Sequence, residues 1–281
     1  MRAWGALFAL VAVACGRGDR VVVGSKNFTE QRLLGELVAQ TAEATGLAVE
    51  RRLDLGGTFV CDAALRAEQL DVYVEYTGTA LTAILKQEPE SDPARVLARV
   101  REAYAPAGLT WTAPLGFDDT FALVVRADAP ARTVGEAVPL AGGWRAAFGY
   151  EFQQRPDGYP ALARVYGLGF QEVRTMDLGL LYRALTERQV DVVAGNATDG
   201  LIDRLGLRVL ADDRHAFPPY EAVPVVRAAT LARHPELGAA LDRLGGTLSA
   251  DVMRRLNAAV DGDHRDVAQV VREFRTGAGG E

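Results

Sequence analysis

The strongest constraint on this chain is an internal repeat. The segment Ala64-Leu65-Arg66-Ala67-Glu68-Gln69-Leu70-Asp71-Val72 is echoed by Ala184-Leu185-Thr186-Glu187-Arg188-Gln189-Val190-Asp191-Val192. In each copy a helical stretch gives way to Gln, one apolar residue and then Asp-Val, which opens a strand-like run. Each run enters a turn containing Thr and Gly: Glu75-Tyr76-Thr77-Gly78-Thr79 in the first copy, Gly195-Asn196-Ala197-Thr198-Asp199-Gly200 in the second. The two halves are therefore expected to hold similar α/β units with equivalent turns at equivalent strand ends. Ligands of open α/β sheets bind outside the carboxyl ends of the strands. Two such units facing each other would enclose a cleft walled by these turns.

The rest of the chain fits this scheme. Strands are expected over 21–24, 47–53 and 70–74, with helices over 30–44 and 60–69 between them. The first helix is marked by Leu33, Leu34, Leu37, Val38 and Thr41 at helical spacing, with Thr29 as N-cap and Gly46 as stop. In the second half, 117–126, 144–148, 172–176 and 190–194 read as strands, and 158–166 and 178–187 as helices. A strand over 222–227 and helices rich in Leu and Ala follow, the last over 266–275, before a frayed tail at 277–281. Strands alternating with helices predict a parallel sheet in each half.

The first residues read as a targeting segment. Met1 and Arg2 precede an apolar run from Trp4 to Ala14. That run is shorter than the roughly 20 residues a membrane-spanning helix needs, and has the length of a signal-peptide core. It ends Ala12-Val13-Ala14-Cys15-Gly16, which resembles a bacterial lipobox. The expectation is a signal peptide over 1–14, a lipidated Cys15 as first mature residue, a short tether over 15–20, and an extracytoplasmic location. With Cys15 so used, Cys61 has no disulfide partner, and its setting in Thr58-Phe59-Val60-Cys61 reads as a buried small hydrophobe.

Composition and motifs argue against several functions. A formal charge of -6 gives no reason to expect nucleic acid or an anionic membrane surface as partner. The sequence has no GxSxG, P-loop or HExxH, Gly56-Gly57-Thr58 is no phosphate loop by itself, and the three histidines are scattered singly. Asp118-Asp119 and Asp212-Asp213 read as turn and cap residues rather than an acid/base pair. Neither an enzyme nor a metal or cofactor site is expected.

Four segments together carry a family resemblance: Gly24-Ser25-Lys26-Asn27-Phe28-Thr29-Glu30-Gln31, Glu75-Tyr76-Thr77-Gly78-Thr79, Thr198-Asp199-Gly200, and Asp212-Asp213 followed by Phe217-Pro218-Pro219-Tyr220. Their order and spacing resemble the substrate-binding proteins of osmoprotectant ABC importers, which take glycine betaine, carnitine, choline or proline betaine. The resemblance covers essentially all of the mature chain. It implies a two-lobe periplasmic-binding-protein fold of type II with two crossovers, lobe one over 20–122 plus 214–281 and lobe two over 123–213. It implies a monomer that hands its solute to an ABC permease with its ATPase, touching the membrane through its lipid alone.

A trimethylammonium group donates no ordinary hydrogen bond and is held by aromatic faces. The resemblance places such a cage at Tyr76, Phe121, Asn196 and Tyr220. It assigns a ligand carboxylate to Lys26, Thr79 and Arg155, and a contact to the ammonium to the main chain of Asp119. Phe121 and Asn196 stand where the family usually has tyrosine. The first keeps a ring and loses a hydroxyl; the second replaces a ring by an amide. Read alone, each of these residues also has an ordinary role: Tyr76 as packed core, Tyr220 as anchor of a rigid turn, Lys26 and Arg155 as surface charges. Tyr73 and Tyr159 read as structural. The changed cage leaves open another solute on the same fold, such as ergothioneine, an amino-acid derivative or a polyamine. Lys26 and Arg155 argue against a purely cationic polyamine.

Overall fold

The computed structural model describes residues 20–277. The signal segment 1–14, lipidation at Cys15 and all but the last residue of the tether lie outside the described residues, as does the tail beyond 277. The chain forms two five-stranded sheets. The first has the order β2-β1-β3-β10-β4, with β1 Arg20–Gly24, β2 Ala48–Arg52, β3 Val72–Tyr76, β4 Leu109–Trp111 and β10 Ala222–Arg227. The second has the order β7-β6-β8-β5-β9, with β5 Phe121–Arg126, β6 Arg145–Phe148, β7 Glu172–Thr175, β8 Val192–Asn196 and β9 Leu207–Leu210. Each sheet is covered by helices on both faces, and the chain passes between them twice, out before β5 and back before β10. This is a two-lobe α/β fold.

The central strands are apolar without alternation because both faces are buried. Val21, Val23, Val72, Val74 and Val226 pack on one side of the first sheet, and Val22, Tyr73, Val223 and Val225 on the other. The second sheet does the same with Leu123, Val125, Ala146 and Val192 against Ala122, Val124, Ala147 and Val193.

The sheets are not wholly parallel, as the sequence had suggested. β1 pairs in parallel with β2 and β3, and β6 with β7 and β8. The strand that enters each sheet from the other half runs against its neighbours: β10 against β3 and β4, β5 against β8 and β9. A chain returning from the far sheet arrives from the cleft side, so it runs opposite to strands that end there. Local boundaries also shift. The strand expected from 117 begins at Phe121, because 117–120 belong to the crossing segment. Thr29 is the first helical residue of Thr29–Glu43 rather than its cap, which is Phe28. The Pro93–Tyr104 helix, capped by the Asp92 side chain on the N–H groups of Ala94 and Arg95, and strands β4 and β9 had no counterpart in the sequence reading.

The internal repeat is a repeat of structure. The Thr58–Arg66 and Leu178–Thr186 helices end in the same way, with Glu68 (φ 60) and Arg188 (φ 59) in the left-handed region. Gln69 N donates to Ala64 O at 2.8 Å, and Gln189 N to Ala184 O at 2.9 Å. These are Schellman caps closed without glycine. The aspartates then brace the next strand. Asp71 N donates to Val22 O and Asp71 Oδ2 accepts from Val22 N, both at 2.8 Å; Asp191 makes the same pair with Arg145 at 2.7 and 2.9 Å. The last residue of each returning strand ends against its aspartate, Arg227 at 3.6 Å from Asp71 and Arg126 at 3.2 Å from Asp191.

The brace in the first sheet is the more deeply buried. Removing its carboxylate leaves Val22 N–H and Thr230 Oγ1 without their acceptor and takes from Arg227 one of its two acidic partners, the other being Glu68 at 2.8 Å. Asp71→Ala should destabilise the protein by about 3 kcal/mol and Asp191→Ala by less, as read from urea unfolding midpoints at unchanged slope.

Candidate functional site

The carboxyl ends of β3 and β8 meet across the gap between the sheets, and the turns that follow them are held close by glycine. A Cβ on Gly78 would lie 2.5 Å from Pro219 O, and one on Gly200 would lie 2.5 Å from Ala258 N. Only hydrogen at these two Cα atoms lets the turns approach the returning segment and the C-terminal helices so closely. Two π-helical turns adjoin the same region, Ala80–Ile84 directly after Thr79 and Ala258–Gly262 directly after Asn257. Such turns often lie at functional sites.

Three aromatic rings converge here. Tyr76 ends β3, stacks on Phe28 at 6.5 Å between centroids and lies under the Lys26 ammonium at 4.9 Å. Phe121 opens β5 and makes edge contacts with Tyr220 at 5.4 Å, Phe217 at 5.8 Å and Phe152 at 4.9 Å. Tyr76 and Tyr220 belong to the core of the first half, and Phe121 packs against the cores of both halves. Asn196 is the direct partner of Phe121 in the antiparallel β5–β8 register. Directly opposed residues project to the same face of a sheet. Asn196 is half-buried there, as Tyr76 ends the equivalent strand of the other sheet.

Around the rings, charges are buried in pairs. Lys26, 3% exposed, donates to Glu75 Oε1 at 2.5 Å, and Glu75 also accepts from Tyr73 Oη and Tyr76 N. Burial raises the Glu75 carboxyl above its ordinary range, against the pull of Lys26. Arg155, 5% exposed, donates from Nε and Nη2 to Asp157 at 2.9 and 2.6 Å, from Nη2 to Thr79 Oγ1 at 2.9 Å, and lies 5.0 Å over the Phe121 ring. Tyr220 Oη donates to Asp157 Oδ2 at 2.9 Å. Burial alone would raise the Asp157 carboxyl, but the Arg155 guanidinium outweighs it and holds the group below its ordinary value. The arginine fork that the sequence assigns to a ligand carboxylate is thus taken by a neighbouring aspartate.

A third cluster has no basic partner. Glu30 Oε1 accepts from Tyr76 Oη at 2.6 Å, and Oε2 accepts from Asn257 Nδ2 at 3.2 Å and contacts Thr198 Oγ1. Thr198 Oγ1 also lies 2.7 Å from Asp119 Oδ1, and Asp119 N donates to Tyr220 O at 3.1 Å. Burial pushes both carboxyls up, and for Asp119 the facing Glu30 carboxyl adds to the rise. The sequence reading of Asp118-Asp119 as turn residues holds for Asp118, which accepts from Tyr220 N, but not for the Asp119 side chain, which is 5% exposed. Asp212 and Asp213 do cap turns: Asp212 accepts from Ala216 N and Phe217 N, Asp213 from Gly135 N.

The eight positions singled out in the sequence therefore gather in one region. The sequence reading gave no role to Glu30, Glu75, Asp157 or Asn257. Glu30 and Glu75 stood inside segments that carry the family resemblance, and Asp157 two residues after Arg155, but nothing marked them as buried partners of the named residues. Asn257 had no local signal, because its place depends on how the last helices fold back. Cys61 is fully buried with its thiol pushed up to about 12 by burial, as befits a packing residue. Among the described residues no group of three or more His, Cys, Asp or Glu is placed to hold a metal ion, and no helix is long and apolar enough to cross a membrane.

Comparison with known proteins agrees with this architecture. Residues 19–276 match the family described as the substrate binding domain of the ABC-type glycine betaine transport system. The chain is 34% identical to the glycine-betaine-binding protein of Pseudomonas aeruginosa, over 94% of this chain and 90% of that one. It is 32% identical to the carnitine transport binding protein OpuCC of Listeria monocytogenes, over 91% and 86% respectively. The crystal structure of a glycine betaine/carnitine/choline ABC transporter component superposes with a TM-score of 0.76 at 29% identity, over 92% of this chain and 98% of that one. The chain belongs to the family of substrate-binding domains of ABC-type glycine betaine transport systems.

Proposed function

We propose that this protein is an extracytoplasmic binding lipoprotein, anchored through Cys15, that traps a quaternary-ammonium solute such as glycine betaine, choline or carnitine and presents it to an ABC permease with its ATPase. It acts as a monomer, with lobe one over 20–122 plus 214–281 and lobe two over 123–213. The observation that carries the reading is the convergence of the Tyr76, Phe121 and Tyr220 rings beside buried carboxyls. A ring face attracts a cation by about 0.5–2 kcal/mol. Both basic groups of the cleft are already neutralised by buried acids, so neither opposes an ammonium. A carboxylate tail would take the remaining donors of Lys26, Thr79 and Arg155, and the Asp119 carbonyl would face the ammonium. Asn196 opens one side of the cage. That feature favours a second reading, in which the same cleft serves a solute of different shape such as ergothioneine.

The chain from residue 16 onward is expected to melt higher in the presence of glycine betaine, proline betaine, carnitine or choline, since a ligand of the folded state stabilises by mass action. A shift with ergothioneine alone would select the second reading; spermidine serves as a polyvalent control. Asn196→Tyr should tighten glycine betaine by about two- to thirtyfold in calorimetry, the worth of one more ring. An unchanged Kd would remove Asn196 from the ammonium's surroundings. Arg155→Ala should weaken both glycine betaine and choline, because it breaks the bridge to Thr79, and glycine betaine by roughly tenfold more, because choline has no carboxylate. Equal loss would make Arg155 a clamp between lobes only.

A further inference from the structure

The Glu30–Thr198–Asp119 contact does not balance as a set of hydrogen bonds unless an extra proton is present. A threonine hydroxyl has one hydrogen. Thr198 Oγ1 lies within hydrogen-bond distance of two carboxyl oxygens, Glu30 Oε2 and Asp119 Oδ1. It can donate to one of them only. Were both carboxyls ionised, the second contact would set a carboxylate oxygen against a hydroxyl oxygen with no hydrogen between them. One acid must therefore be protonated and donate to Thr198 while Thr198 donates to the other.

The remaining contacts decide which. Glu30 already accepts from Tyr76 Oη and Asn257 Nδ2, so it is the better-solvated carboxylate. Beyond Thr198, the Asp119 side chain meets Glu30 itself and finds no donor side chain comparable to Tyr76 or Asn257, which makes it the acid. No base lies close enough to stand in for the proton. From the first lobe the pair faces Tyr76, Glu75 and Lys26, the lysine being committed to Glu75; from the turn after β8 and the helix before it, Asp199 and Tyr182; from the C-terminal helices, Asn257 and Asp261, which accepts from Thr29; and from the far side of Phe121, Arg155, committed to Asp157. Arg32 is turned to Thr29.

We infer that Glu30, Thr198 and Asp119 form an inter-lobe latch that closes with one shared proton, and that Glu30 is the positioning residue that couples this latch to the Tyr76 ring. Glu30 stands in the helix after β1, Thr198 in the turn after β8, so the chain Asp119–Thr198–Glu30–Tyr76 exists only when the lobes meet. Asn257 reinforces it by donating to Thr198 O at 2.9 Å. An open cleft would return both acids to water and to the ordinary carboxyl range near pH 4. Closure then raises the affinity for one proton, so it takes a proton up at any pH between that range and the raised value of the closed pair. The contribution of the latch is complete below the open-state value and is lost as pH rises. Because the two acids share the proton, the titration belongs to the pair.

The inference rests on the reading that lobe closure traps the solute, and the test separates the two. Glycine betaine is titrated into the native protein at neutral pH by calorimetry in buffers of contrasting ionisation heat. The expected result is an uptake approaching one proton per solute bound, with Kd weakening by about tenfold per pH unit above neutrality until the closed pair itself ionises. Asp119→Asn keeps a donor for Thr198 but carries no titratable proton; uptake and pH slope should both fall towards zero. Binding without proton uptake in the native protein, or an unchanged pH slope in Asp119→Asn, overturns the latch. If glycine betaine does not bind, the solute assignment fails and the latch is decided on ligand-free protein. Small-angle X-ray scattering should then show the closed fraction of native protein growing as pH falls from neutrality towards the open-state carboxyl range near pH 4, and no such growth in Asp119→Asn. A closed fraction of native protein that does not change with pH overturns the latch.

Discussion

Burying charge is the constraint that organises this cleft. An ionised group taken out of water costs several kcal/mol unless a partner replaces its hydration. The closed cleft buries Lys26, Arg155, Glu30, Glu75, Asp119 and Asp157 together. Each solution to that problem joins segments that are remote in sequence. Lys26 on the loop after β1 is tied to Glu75 on β3; Arg155 of the second lobe reaches Thr79 of the first, and its partner Asp157 receives the Tyr220 hydroxyl from the returning segment. The rings that would meet a solute are fixed by these same groups. Tyr76 is oriented through Glu30 and Tyr220 through Asp157, so the aromatic walls are set by the ionic ones.

Much of the fold was legible because its causes are local. The repeat Gln-Leu-Asp-Val and Gln-Val-Asp-Val encodes a helix end, a left-handed cap and an aspartate brace within nine residues, and each of these is decided by near neighbours. The same holds for most helices and for the unbroken apolar strands. What was not legible depended on long-range return. The direction of β5 and β10 follows from which sheet the chain has just left, which no window of sequence contains. β4 and β9 are short edge strands whose pairing comes from the returning strands.

The site divides along the same line. Tyr76, Tyr220, Lys26 and Arg155 were reached through motifs whose joint order resembles a family, and they do lie together. Their partners were not reached. Asp157 looks like a turn residue two positions after Arg155, and only the tertiary structure shows that it takes up the arginine fork. Asp119 was read as a main-chain contact, and its side chain turns out to be a buried acid facing Glu30. Asn257 reaches the cleft from the C-terminal helices, far from every motif. Side-chain partnership across lobes leaves no periodic trace in a sequence.

The repeated βα unit has one more consequence. The two walls of the cleft descend from equivalent strand ends, Tyr76 on one and Asn196 on the other, yet they share no strand and no hydrogen-bonding register. The walls are joined by side chains, Thr198 to Glu30, Arg155 to Thr79 and Phe121 to Tyr220, and not by backbone pairing. Selectivity in such a molecule is combinatorial: one half can keep a grip common to a whole class of solutes while the other is re-cut for a particular member. On the proposed reading of the cleft, Tyr76 with its Glu30 tether would be the retained half, and the Phe121–Asn196 pair the half free to vary.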